Sequence, residues 1–193
     1  FLTDYRMSSQ KVGPTISDDI KKDAVLSVFF ALMIIFLYIA VSFRNWQFGL
    51  GGLASLAHDV IIVIGLYSLL DGWLSFSLAV DMSFIAAVLT IIGYSINDTV
   101  IVFDRIREYV NLHPKQDTMK TYNDAMNSTL RRTFSTSLTV LVVLFAIFLF
   151  GGIAIKGFVF ALLFGIIFGT YSSVFVGTPI AYDILMRRQN KLD

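Results

Sequence analysis

Five apolar runs, each about 20 residues long, constrain this chain more than any other feature. They occupy residues 24–43, 48–70, 82–102, 134–150 and 158–185. A helix of that length crosses the roughly 30 Å hydrocarbon core of a bilayer. The apolar residues come in unbroken blocks, unlike the spaced stripe of an amphipathic soluble helix. With 56% hydrophobic residues and a mean hydropathy of +0.73, the chain reads as an integral membrane protein. Lipid leaves backbone groups nothing to bond to except one another, so the spans are helices. The expected fold class is therefore all-α, a membrane bundle of five transmembrane helices over residues 23–193.

The connections are short except one. Residues 103–133 mix charged and apolar residues at helical spacing, and Pro114 interrupts them. Two short amphipathic helices on the cytoplasmic surface are predicted there. Residues 1–22 are neither a signal peptide nor a span and read as an external lead-in. Thr15 or Ser17 is the expected cap of the first helix. The start at Phe1 suggests a piece of a longer protein.

Orientation follows from the basic residues. Arg44, Arg105, Arg107, Lys115, Lys120, Arg131, Arg132, Arg187, Arg188 and Lys191 fall on one side. Arg6, Lys11, Lys21, Lys22 and Lys156 fall on the other. The richer side is expected to be cytoplasmic, and the C-terminus with it. Trp46 and Trp73 are then expected at opposite interfaces. An odd number of spans with an outside start points to a further span upstream.

Composition removes several function classes. There is no cysteine, which excludes disulfides, Cys-ligated zinc, iron–sulfur clusters and thiol nucleophiles. Two histidines make a metal centre a poor expectation, and a net charge of +1 offers no nucleic-acid surface. No phosphate loop is present, so ATP is not expected as a direct energy source. No catalytic residue and no organic cofactor is expected.

Asp98 is the first candidate for function, because it lies inside the third apolar run. A carboxylate at mid-bilayer costs roughly 2.5–3.5 kcal/mol on insertion scales, so it usually has a partner, water or a task. It is six residues before Asp104, about 9 Å along a helix, which places it in the cytoplasmic half of the membrane. Tyr94, Ser95, Asp98 and Arg105 are expected on one stripe, bordered by Gly93 and Asn97. The plain alternative is a hydrogen-bonded pair that only joins helices. Arg132 is second. Positions i+3, i+4 and i+7 from it are Ser135, Thr136 and Thr139, a polar stripe expected to enter the bundle and to set Arg132 facing Asp98. Arg131, with Phe134, Ser135 and Leu138 at the same offsets, is expected to snorkel. Both arginines are otherwise ordinary positive-inside anchors. His58-Asp59 sits near the middle of the second run, a possible proton relay or a buried polar pair. In the fifth run, Ala161, Gly165, Gly169, Ser173 and Gly177 recur at i+4, a face for close helix packing.

Several of these motifs together carry a resemblance. GYSINDTVIVFDRIRE at 93–108 resembles the signature of the SecF family, the C-terminal half of bacterial SecD–SecF protein-export membrane proteins. VGPTISDDIKKDA at 12–24, HDV at 58–60, RRTFSTSLT at 131–139, FGG at 150–152 and GTYSS at 169–173 resemble further motifs in the same order. The family is similar to resistance–nodulation–division transporters, two six-span halves with large periplasmic domains. The resemblance implies a half lacking its first span and nearly all its periplasmic domain, with residues 1–22 as the return from that domain. It implies that the aspartate of Asn97-Asp98 uses the proton gradient together with the arginine of Arg132-Thr133. It also implies partners: the SecD half, the SecYEG translocon, YajC, an exported unfolded polypeptide and lipid, in the bacterial inner membrane. Protons are the expected coupling ion, with sodium the alternative. The rival readings are a small-molecule or lipid exporter of the same superfamily, an aspartyl protease using Asp59 and Asp98, and a structural assembly subunit. The protease needs both carboxylates in one site, and their expected depths differ.

Overall fold

The computed structural model describes residues 14–43 and 45–189 and is all helix joined by short turns. Helix α1 spans Pro14–Ser42, α2 Trp46–Leu70, α3 Met82–Leu112, α4 Thr118–Phe150 and α5 Ile153–Ser172. A π turn, Ser173–Gly177, then leads without a break into α6, Thr178–Gln189. Five of these helical stretches are long and apolar enough to cross a membrane. Residues 1–13, Arg44 and residues 190–193 lie outside the described residues, and with them most of the external lead-in and Lys191. Thr15 and Ser17 sit inside α1 rather than before it. Proline suits a first helical turn, so the helix runs from Pro14.

The two separate surface helices predicted between the third and fourth spans are absent. Their residues prolong α3 to Leu112 and α4 back to Thr118. Charge does not stop a helix, and between Met82 and Leu112 there is neither proline nor a second glycine beside Gly93. At 31 and 33 residues, α3 and α4 run about 46 and 50 Å, well past the hydrocarbon thickness. The chain reverses at His113–Asp117, around Pro114, and Asp117 opens α4 by accepting from the Lys120 amide at 3.0 Å. The α2–α3 loop uses Gly72 at φ 79°, a left-handed conformation glycine adopts freely. Asp81 opens α3 by accepting from the Phe84 amide at 2.9 Å.

α3 lies at the centre, packed against α2, α4 and α5 and touching α1. α1 is at the edge, with Phe29, Phe30, Ile34, Leu37 and Val41 facing outward. Two apolar clusters fill the bundle. One gathers Val63, Tyr67, Phe84, Val88, Ile91, Phe160 and Ile166 toward the α2–α3 loop. The other gathers Ile39, Phe43, Phe48, Val102, Phe103, Ile106 and Tyr122 toward the α3–α4 turn. Between them α3 carries Ser95, Asp98 and Thr99, all buried. The site lies in this layer.

Candidate functional site in the polar layer

Close backbone approach makes the layer possible. Gly165 rests against Ile91 of α3, and a side chain there would meet three atoms of that isoleucine. A methyl group on Gly169 would stand 3.1 Å from Ser95 Cβ and 3.5 Å from Asp59 Oδ2. Gly177 lies equally close to Gly51 and Ser55 of α2. An i+4 stripe turns slowly around an α-helix. The wider π turn takes back part of that rotation, which lets Ser173 face α3 and Gly177 face α2. Thr178 Oγ1 donates to the Ser173 carbonyl at 3.0 Å across this turn.

Asp98 is 1% exposed, so its charge has to be met by protein groups. Its Oδ2 accepts from Ser137 Oγ of α4 at 3.3 Å, and Thr170 Oγ1 of α5 lies 3.5 Å from the same oxygen. Ser137 and Thr170 share a hydrogen bond of 2.6 Å, and Tyr94 donates to Ser137 at 3.5 Å. Three helices therefore meet at one carboxylate oxygen. The other oxygen, Oδ1, has no hydrogen-bond partner among the described residues.

Asp59 of α2 is also 1% exposed. Its Oδ2 accepts from Ser95 Oγ at 2.7 Å, and His58 Nδ1 lies 3.2 Å from its Oδ1. Around it, Ser55 and Ser172 share a hydrogen bond of 2.8 Å, as do Thr99 and Ser173. The expected single stripe on α3 is thus split. Ser95 bonds α2, while Tyr94 and Asp98 bond α4; Ser95 and Asp98, at i and i+3, lie about 60° apart and meet adjacent neighbours. Ser95, which bonds Asp59, lies three positions before Asp98 on α3, and the two carboxylates have separate partners. They share no hydrogen-bond partner and do not bond each other. That is not the shared site an aspartyl protease needs.

Arg132 makes no ion pair with Asp98 among the described residues. It is exposed and lines a cavity with Asp104, Arg105, Glu108 and Thr129. Its expected companions Ser135, Thr136 and Thr139 are exposed as well, and Thr136 and Thr139 bond to their own backbone. The buried stripe of α4 is offset from the expected one by one residue and runs through Ala125, Thr129, Thr133 and Ser137. One residue is a 100° turn, enough to exchange the buried and exposed faces. Asn97 is exposed, beside Ile34, Tyr38 and Gly93 on the α1–α3 surface, and does not join Asp98. Ser137, Thr170, Ser172 and Thr133 are the residues of this layer that sequence reasoning missed. The i+4 spacing of Thr129, Thr133 and Ser137 was the available signal.

The chain spans about half the length of the curated relatives it matches. It is 50% identical over 176 residues to the protein translocase subunit SecF of Rhodothermus marinus, covering 91% of this chain and 57% of that protein. It is 43% identical over 185 residues to that of Haemophilus influenzae, covering 96% of this chain and 55% of that protein. Among solved structures it resembles SecDF crystallised in a super-membrane-facing form, with TM-score 0.80 and 40% identity over 93% of this chain and 23% of that one. Residues 3–187 match the family model described as protein export membrane protein SecD/SecF, C-terminal. On sequence, helical architecture and fold, the chain belongs to the SecD/SecF C-terminal family.

Proposed function

We propose that this chain is the membrane half of a SecF-type translocase subunit that uses the proton gradient to promote polypeptide export. Asp98 is the proton carrier. One observation supports this above the others: a buried carboxylate with one oxygen held by hydroxyls from two other helices and one oxygen free. When ionised, it accepts from one of the two hydroxyls, which in turn accepts from the other. When protonated, it becomes a donor itself, and the Ser137–Thr170 pair has to re-sort its hydrogen bonds. Because that pair joins α4 to α5, proton uptake changes how three helices pack. A proton crossing 100 mV makes available about 2.3 kcal/mol, enough to bias a two-state packing about fiftyfold.

The basic end, with the α3–α4 turn and Arg187 and Arg188, faces the cytoplasm of a bacterial inner membrane, and the C-terminus with it. The α2–α3 loop faces outward. Arg132 then stands at the cytoplasmic mouth of the α3–α4 cleft, tuning the field at Asp98 without a direct bond. Asp59 and His58 form a second polar centre on α2, a relay between the outer side and Ser95. The proposed partners are the SecD half, SecYEG, YajC, exported unfolded polypeptide and lipid. The relatives are named as protein translocase subunits, which does not favour a small-molecule or lipid exporter.

The test is Asp98→Asn in the full-length protein, assayed for export into inverted vesicles with and without a proton gradient. Loss of at least about tenfold of the gradient-dependent increment is expected. Full retention overturns the proton-carrier role. Stimulation that follows a sodium gradient instead would change the ion and keep the site.

A further inference from the structure

A helical threonine ordinarily bonds its hydroxyl to the carbonyl three or four residues back. Thr129 does so to Met126, Thr90 to Ala86 and Thr170 to Ile166. Thr178, 1% exposed, reaches five back, to the Ser173 carbonyl at 3.0 Å. Five is the repeat of the π turn itself. In an unbroken α-helix the Ser173 carbonyl would accept from the Gly177 amide instead. Thr178 therefore ties down a turn that departs from α geometry.

The turn divides one continuous helix into two parts with different neighbours. Before it, α5 is held by α2, α3 and α4, and Thr170 lies beside Asp98 and Ser137. Within it, Ser173 bonds Thr99, the residue after Asp98, at 2.8 Å. After it, α6 packs mainly on α2 and ends in Arg187 and Arg188. Tyr182 of α6 also meets Tyr122 of α4 edge-on, with ring centroids 5.2 Å apart. The contact with α2 is smooth at the turn, since Gly177 lies on Gly51 and Ser55 without a side chain of its own. A π turn returns to α geometry only if one side slips by a residue, a rotation of 100° and a rise of 1.5 Å. α6 is the side held by fewer helices.

We propose that Ser173–Gly177 is a hinge in the coupling cycle, with Thr178 as the positioning residue that holds its π form. Protonation of Asp98 re-sorts the Ser137–Thr170 bonds, three residues before Ser173. The Ser173 carbonyl then exchanges the Thr178 hydroxyl for the Gly177 amide, and α6 turns on α2. The Thr178 hydroxyl falls back on the Val174 carbonyl, four residues away. No buried polar group is stranded in either form, as a helix in lipid requires. The basic end moves with α6, so a change at Asp98 is passed to the far end of the bundle. This inference rests on Asp98 being the proton carrier.

Deleting Phe175, which is exposed, tests the hinge. Thr178 then stands four residues from Ser173, so the same bond fits an unbroken α-helix. Spin labels at Lys115→Cys and Arg188→Cys, both exposed positions, report where α6 stands in the full-length protein on a cysteine-free background. Asp98→Asn, which fixes the neutral form, is expected to shift that distance by about 5 Å. Thr178→Val is expected to shift it the same way, and Thr178→Ser to leave it unchanged. The Phe175 deletion is expected to melt no lower than the unsubstituted protein, to give one distance with or without Asp98→Asn, and to lose at least about tenfold of gradient-dependent export in inverted vesicles. Normal export by the deletion variant overturns the hinge. If that variant does not fold, Thr178→Val decides: an unchanged distance overturns the hinge and a shift supports it. A dead Asp98→Asn with an unchanged distance overturns the hinge and leaves the carrier standing. Normal coupling in Asp98→Asn overturns the carrier itself.

Discussion

Asp98 and Asp59 stand out in the sequence because a carboxylate inside an apolar run is costly wherever it points. Their partners do not stand out. Serine and threonine are cheap in a membrane helix, since a hydroxyl can fall back on its own backbone. Whether Ser137 or its neighbour Thr136 faces Asp98 depends on a 100° rotation of α4, and the packing of its neighbours sets that rotation. Arg132 shows the same limit from the other side, since its spacing is helical but its face is exposed. The glycines give a prediction at this scale. An alanine in a helix ordinarily gains about 1 kcal/mol over glycine. At Gly165 that gain meets three atoms of Ile91, and overpacking typically costs 1–3 kcal/mol. Gly165→Ala is therefore expected to lower the thermal midpoint in detergent, and Gly65→Ala, with open space around it, to leave it unchanged or raised. Equal behaviour of the two variants would contradict the close packing of α5 on α3.

At the scale of elements, helix ends follow local chemistry that can be read directly. Pro114 separates α3 from α4, and Asp117 and Asp81 open their helices by accepting backbone amides. Removing the Asp81 cap by Asp81→Ala is expected to cost about 1 kcal/mol of stability, while Asp81→Asn retains most of it. Thermal unfolding of the purified protein measures both. The prolonged α3 and α4 were not legible as single helices, because a charged stretch after an apolar run suits a surface helix equally well. The π turn at Ser173–Gly177 was not legible either. It answers to two neighbours at once: Ser173 has to reach Thr99, and Gly177 has to lie on Gly51 and Ser55.

For the whole molecule, the proposed orientation has a direct check, since this stretch contains no cysteine. Ser75→Cys in the α2–α3 loop and Lys115→Cys in the α3–α4 turn are both at exposed positions. An impermeant maleimide is expected to label Ser75→Cys on intact spheroplasts and Lys115→Cys only after the membrane is opened. The opposite pattern reverses the bundle and places the α3–α4 cavity at the proton entrance.

The sequence by itself determined that this chain is an all-helical membrane protein, and it exposed the two carboxylates. Those properties depend on the length and polarity of contiguous residues, which the bilayer reads without reference to neighbours. Only the tertiary structure decided that Asp98 meets Ser137 and Thr170 rather than pairing with Arg132, and that Asp59 bonds Ser95. It also left Asp98 Oδ1 and Thr133 Oγ1 buried without a hydrogen-bond partner among the described residues. The physical reason is rotational. Spacing states which residues share a face of a helix, but which face meets a neighbour is set by packing, here by glycines that let α5 close on α3.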